Sequence, residues 1–233
     1  MTMSNLIEIQ RDTKFYLAEF LGTAILVFFA AGSVMVCSII SGLPGPLIAG
    51  ASSGLVLMIL IWTFVGVSGA HFNPALTLSL ALLGNFPRKL VLGYIIAQMC
   101  GSALAGAILY WALGSHGSMG ANLPNADLGI TGFKAFVLES FLSFFMMLVI
   151  RGSFATELPV RQFAAIPIGA VVGIEVMLMG PVAGAAMNPA RAFGPYLFLG
   201  DWQFYWIYVA GPLFGIVTGG YLYSFIARVK TQV

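Results

Sequence analysis

Two asparagines, each followed by Pro-Ala, are the residues of this chain best placed to do chemistry. Asn73-Pro74-Ala75 and Asn188-Pro189-Ala190 each close a stretch apolar enough to lie in a membrane. One such tripeptide would mark only a helix start, since Asn is a good N-cap and Pro the preferred first helical residue. Here the contexts match as well: Ser68-Gly-Ala-His-Phe-Asn73-Pro-Ala-Leu-Thr and Ala183-Gly-Ala-Ala-Met-Asn188-Pro-Ala-Arg-Ala. A helix start duplicated in two hydrophobic halves signals an inverted-repeat membrane protein with broken helices at its midplane. The chemistry on offer is binding: each side-chain amide carries hydrogen-bond donors and an acceptor.

Few other polar groups interrupt the apolar stretches. Glu19, Glu139 and Glu175 are three, His71 precedes the first tripeptide by two residues, and Arg191 follows the second. They make no metal-ligand cluster, nucleophile–base pair or nucleotide loop, so no enzyme, cofactor or metal is expected. Cys37 and Cys100 both fall within apolar runs and read as small core residues rather than a disulfide. Charged residues make up 8% of the chain against about 25% in a soluble domain, and hydrophobic residues reach 60%, so water is not the solvent for most of the surface. A net charge of +2 from scattered Lys and Arg argues against nucleic acid as a partner. Glu8, Arg11, Asp12 and Lys14 precede the first apolar run with no cleavage site, which argues against a removed signal peptide.

Six runs, approximately 15–38, 46–66, 90–113, 133–150, 162–180 and 202–227, meet the roughly 20 apolar residues that a spanning helix needs. Two shorter stretches, about 74–84 and 189–199, follow the tripeptides and are half a span each, suited to half-helices dipping in from opposite faces. The expected fold is therefore an all-α membrane protein of six transmembrane helices and two half-helices. It forms a single domain over 1–233, with inverted repeats at about 12–113 and 133–228. Glu19 and Glu139 stand at similar distances before their asparagines, which supports the repeat. Gly50/Gly54, Gly101/Ala105, Gly169/Gly173 and Gly211/Gly215/Gly219 offer small-residue faces for packing within the bundle. Arg11, Lys14, Arg88, Lys89, Arg151, Arg161, Arg228 and Lys230 flank ends that share one side when the spans alternate. The positive-inside rule then puts both termini in the cytoplasm, with the 114–132 connection outside the plasma (bacterial inner) membrane.

On these residues the chain resembles the aquaporin superfamily over nearly its whole length. The resemblance rests on the paired tripeptides, Ser-Gly-Ala-His-Phe-Asn-Pro-Ala at 68–75, Met-Asn-Pro-Ala-Arg-Ala-Phe-Gly-Pro at 187–195, and a glutamate early in each half. Met-Gly-Pro-Val-Ala-Gly at 179–184 is similar to glycerol facilitators and nodulin-26-like channels. The resemblance implies a passive channel, a homotetramer, and a pore centre where opposed half-helix N-termini place partial positive charge. A permeating water there accepts from Asn73 and Asn188, which breaks a proton wire, and the same field repels cations. It also implies that Glu19 and Glu139 accept backbone N–H groups and brace the loops, with proton coupling as the other reading of intramembrane acids. His71 reads as a wall residue, with gating the minor alternative. Glu175 has no counterpart in the first half and could brace the loop near 180–187 or sit at a subunit contact.

In channels that this chain resembles, four side chains near the outer mouth set selectivity, which places the filter at Ser53, Val176, Ala185 and Arg191. Strict water channels carry a large aromatic and a histidine where this chain has Ser53 and Val176, so a wide ring is expected. The implied permeants are water and glycerol, and by analogy metalloid acids such as arsenous, boric or silicic acid. Ala192 and the pair Tyr205-Trp206 pull instead towards a strict water channel. A proton-coupled secondary transporter and a closed, structural membrane protein are the rival classes.

Overall fold

A computed structural model describes residues 3–157 and 159–227, with side chains from residue 12 onward. Of the charges used above for orientation, the side chain of Arg11, and all of Arg228 and Lys230, lie outside the described residues, as does the side chain of Glu8. The chain folds as α1 (Met3–Ile39), α2 (Gly45–Ser68), α3 (Pro74–Leu82), α4 (Arg88–Leu113), α5 (Gly132–Ala155), α6 (Ala165–Ala183), α7 (Pro189–Leu199) and α8 (Ile207–Ile226). Six of these are long and apolar enough to cross a membrane. The other two, α3 and α7, reach only roughly 14 and 17 Å at about 1.5 Å per residue, half of a hydrocarbon core about 30 Å thick.

Span limits read from hydropathy differ from the helix ends by about a turn, except that α1 begins at Met3, about three turns before the expected 15. The fourth span was expected to stop at 150, before Arg151, yet α5 runs on to Ala155. Backbone hydrogen bonding continues past the point where side chains turn polar. The last span was expected from 202, whereas α8 begins at Ile207. Before it, Asp201 accepts from the Gln203 amide (3.0 Å) and Trp202 O from the Tyr205 amide (3.2 Å), a turn built from residues apolar enough to pass as helix.

Packing follows the small residues. Helix α1 lies against α2 and α4, α5 lies against α6 and α8, and the α2–α6 crossing joins the two halves. At that crossing Gly54 and Gly169 meet backbone to backbone: a Cβ on either would stand 2.6 Å from the other's carbonyl oxygen. Gly211 and Gly219 of α8 admit α5 in the same way, with added Cβ atoms 2.8 Å from Glu139 Cβ and 2.7 Å from Phe144 O. In lipid, where burial of apolar area no longer favours helix association, this closeness supplies the dispersion contact that holds the bundle. The half-helices are gripped by both halves, α3 by α4 and α8, α7 by α4, α1 and α8.

One expectation fails here. Cys100 is exposed on α4 and Cys37 only half-buried, both as free thiols, so Cys100 is not a core residue. An apolar run in a membrane helix supplies lipid-facing and inward-facing residues alike, and does not say which is which.

Gly54→Ala should therefore overpack the α2–α6 crossing and cost about 1–3 kcal/mol. Gly66→Ala, with nothing within 4 Å of the new methyl, should be neutral or gain up to about 1 kcal/mol. Thermal unfolding of the two purified variants in detergent checks the contrast.

Candidate functional site

Between α2 and α3 the chain must leave a helix inside the bundle and start another within five residues. Gly69 ends α2 in the left-handed region (φ 86°), and Ala70 and Phe72 follow at φ 54° and 49°. The second half repeats the pattern: Gly184 (φ 101°), then Ala185 and Met187 at 48° and 53°. Left-handed backbone costs a non-glycine residue roughly 1–2 kcal/mol, so four such residues need support. Two glutamates give it. Glu19 Oε1 accepts from Ser68 Oγ (2.7 Å) and the His71 amide (3.0 Å), and its Oε2 from the Phe72 amide (2.6 Å) and Gln98 Nε2 (2.8 Å). Glu139 accepts the Ala186 amide on Oε1 (2.8 Å) and the Met187 amide on Oε2 (2.9 Å). Both carboxylates are fully buried.

The strained loops deliver Asn73 and Asn188 to each other. Each side-chain oxygen caps its own short helix, Asn73 Oδ1 accepting from Ala75 and Leu76 amides, Asn188 Oδ1 from Ala190 and Arg191 amides. Each Nδ2 donates across the pair: Asn73 to Met187 O and Asn188 to Phe72 O, both at 2.8 Å. An amide carries two N–H groups, so one on each asparagine remains for a solute. The sequence had assigned the amides to the lumen and missed this mutual tie. Pro74, Ala75, Pro189 and Ala190 are buried beneath them, and Ser102 Oγ donates to Ala190 O while accepting from the Gly194 amide (2.8 Å).

Both asparagines line a cavity of about 400 Å³ that runs past Ser53, Val176, Ala185 and Arg191 at one end and reaches Arg151 and Phe154 at the other. Its walls are stripes four residues apart, Ser53-Leu57-Ile61-Val65 on α2 and Ile168-Val172-Val176 on α6, which is one face of each helix. The structure thus brings all four filter candidates to one channel. Ser53 Oγ is buried there with no hydrogen-bond partner among the described residues. Arg191 is held by Gly120 O and Asn122 Oδ1, both 2.7 Å from Nη1, and by Ala30 O, 3.3 Å from Nη2. His71 also lines the cavity, with Nδ1 3.1 Å from Thr77 Oγ1 and its ring against Phe86 and Tyr94.

The profile of the family described as Major intrinsic protein matches residues 7–223. The chain belongs to the major intrinsic protein family. It is 38% identical over 217 residues to aquaporin NIP1-2 of Oryza sativa subsp. japonica, covering 90% of this chain and 70% of that protein. Nodulin-26 of Glycine max is 37% identical over 213 residues, covering 90% and 76%. The fold is that of the X-ray structure of an aquaglyceroporin from Plasmodium falciparum, with TM-score 0.80, 22% identity, and 93% and 97% of the two chains aligned. A major intrinsic protein is a channel and not an enzyme, and this one is an integral membrane channel for water and small solutes.

Several residues that build the channel escaped the sequence reading. Asn122, in the long connection, holds Arg191, donates to Gly184 O (2.7 Å), and offers its own carbonyl to Tyr196 OH (2.7 Å). Tyr94 and Tyr208 donate to Ser68 O (2.8 Å) and Ala183 O (2.9 Å), the carbonyls at the two helix breaks. A signal for the tyrosines existed: each stands seven residues before a packing glycine, Gly101 or Gly215. Asn122 had none, because loops of this length carry no period. Glu175 fits neither role expected of it. It is only 4% exposed in a single copy, so it makes no subunit contact, and neither carboxyl oxygen has a hydrogen-bond partner among the described residues, so it braces no loop.

Glu19→Gln puts an NH2 where one oxygen accepts two of the four hydrogen bonds, at least one of them from a backbone N–H that cannot turn away, and should cost about 1–3 kcal/mol, against about 1 kcal/mol for Tyr94→Phe. Thermal midpoints and folded yield of the two variants check this order.

Proposed function

We propose that this chain is a passive channel for glycerol and other small uncharged hydroxylated solutes together with water, extending to trihydroxy acids such as arsenous, boric or silicic acid. The observation that carries the reading is the make-up of the ring at Ser53, Val176, Ala185 and Arg191: three small side chains, and a guanidinium drawn onto three acceptors at its rim. The names aquaporin, of a relative, and aquaglyceroporin, of the solved neighbour, support the water and glycerol in this range.

In this reading residues 1–233 form one channel domain with inverted repeats at about 12–113 and 133–228. It sits in the plasma (bacterial inner) membrane with both termini cytoplasmic, as a homotetramer by family resemblance. A solute's hydroxyls replace hydration water at Ser53 Oγ, at the free N–H groups of Arg191, and at one N–H each of Asn73 and Asn188. Between these points the wall is apolar, through Leu26, Leu57 and Val172, so binding stays weak enough for release. Two half-helix N-termini and Arg191 keep the path electropositive and exclude cations. Glu19 and Glu139 serve the fold rather than proton transfer, since each carboxylate accepts two consecutive backbone N–H groups of the loop it braces.

Stopped-flow swelling of proteoliposomes tests the substrate. Glycerol and boric acid should enter the parent protein as well as water. Ser53→Trp with Val176→His should abolish polyol and metalloid entry while sparing part of the water flux. Water flux alone in the parent would instead establish a strict water channel, the reading that Ala192 and Tyr205-Trp206 favour.

The ion barrier has its own test. A charge about 5 Å from a passing cation, at an effective dielectric near 20, raises its energy on the order of 3 kcal/mol, so Arg191→Val should raise cation leak roughly a hundredfold. A potential-sensitive dye in the same vesicles reads the leak.

A further inference from the structure

Glu175 is a buried ionisable group that the pore does not use. It lies on α6 immediately before Val176 but does not line the cavity, and with 4% exposure it cannot draw on bulk water. Neither of its oxygens meets a donor among the described residues. An ionised carboxylate in that condition is among the most costly arrangements a protein interior can hold.

The charges around it decide its state. Helix α6 packs on α2, on α5 and on the turn at Val160–Phe163. No residue of α2 is ionisable, while α5 carries Lys134, Glu139 and Arg151, and the turn carries Arg161. Lys134 stands at the start of α5 on Gly129 O, and Arg151 and Arg161 belong to the other end of the bundle. Counted from the helix ends that share a side, Gly132 of α5 and Ala183 of α6, Glu139 lies roughly 10 Å deep and Glu175 roughly 12 Å deep at about 1.5 Å per residue. Two carboxyls at one depth on packed helices do not both ionise readily. Glu139 holds two backbone N–H groups and Glu175 holds none, so the negative charge belongs on Glu139.

The two halves differ in a way that bears on this. Glu19 receives Ser68 Oγ and Gln98 Nε2 besides its two backbone amides. In the second half Ala183 ends the helix where Ser68 does in the first, and Pro212 precedes Gly215 as Gln98 precedes Gly101. Glu139 therefore lacks both side-chain donors, and a second carboxyl occupies its neighbourhood instead.

We propose that Glu175 is a neutral carboxylic acid behind the filter wall, and that its proton keeps the outer half of the pore from losing its positive field. Arg191 and Glu139 offset each other there, leaving the half-helix dipoles, about half a charge at each N-terminus, to set the sign. One more carboxylate would cancel that field and weaken the barrier to cations. The electrostatic consequence rests on the ion barrier proposed above, whereas the protonation state stands apart from it.

Infrared spectroscopy of the purified channel at neutral pH separates the two. The parent should show the carbonyl stretch of a protonated carboxylic acid, and Glu175→Gln should lose it. Glu175→Met, of similar length, serves the same comparison if the Gln variant folds poorly. An unchanged band in a folded variant, or no such band in the parent, would overturn the proposal. In proteoliposomes Glu175→Gln, which keeps the neutral shape, should leave glycerol flux and cation leak within about twofold of the parent. A change of tenfold or more, about 1.4 kcal/mol, would show that a charge had been removed. If the infrared result holds while the parent vesicles leak cations freely, the ion-barrier reading fails and the neutral acid stands.

Discussion

A chain that leaves a helix inside a membrane must find partners at once for the N–H and C=O groups it frees, because lipid supplies none. The rest of this structure depends on how Glu19 and Glu139 meet that demand. Each inserts a carboxylate beneath a five-residue break and gathers two consecutive amides, His71 and Phe72 in one half, Ala186 and Met187 in the other. Those amides converge because alternate residues are left-handed, a geometry that has only a carboxylate's two oxygens to recommend it. Charge-assisted hydrogen bonds are about twice as strong as neutral ones, enough to offset the backbone strain and part of the cost of burial.

From that bracing the pore follows. With their N–H groups turned onto the glutamates, the loops present Phe72 O and Met187 O to the opposite asparagine. The mutual amide bonds then lock the half-helix starts together at the channel wall. A shift of either loop would break its own glutamate bonds and the other half's asparagine bond, so the two breaks stand or fall as a unit. Tyr94 and Tyr208 complete the accounting by covering the last helical carbonyls, Ser68 O and Ala183 O.

How much of this was legible in the sequence divides along a physical line. Features that repeat, or that break a period, could be read: the tripeptides, the glutamates, the small-residue faces, the half-length apolar stretches. Their meaning is local, since an N-cap needs only its own first turn and a glycine face only its spacing. Features fixed by long-range contact could not. Asn122 reaches Arg191 from a connection without periodicity, and Gln98 looks like any polar residue on a helix until Glu19 is placed beside it. Cys100 was misplaced because lipid accepts the same side chains as a core does. The filter positions came from likeness to known channels rather than from physics. What the structure adds is that all four reach the same cavity.

The two halves share their bracing but not their lining, and the division explains where discrimination can reside. One end of the cavity holds the Ser53 hydroxyl, which has no partner among the described residues, and the guanidinium of Arg191. Towards the other end the same stripes offer Ile61, Val65 and Ile168, with Leu76 and Leu80 of α3 beside them. Apolar wall contributes little to telling one hydroxylated solute from another, since a passing hydroxyl gains no hydrogen bond there and loses none it could have kept in single file. Polar groups discriminate because an unmatched donor in a confined site costs more than a matched one gains. Selectivity therefore concentrates where donors are sparse, fixed and one-sided. In the filter proposed here Arg191 meets that description, because Gly120, Asn122 and Ala30 hold it in place, and a guanidinium so tethered cannot swing aside to suit a poorly fitting solute.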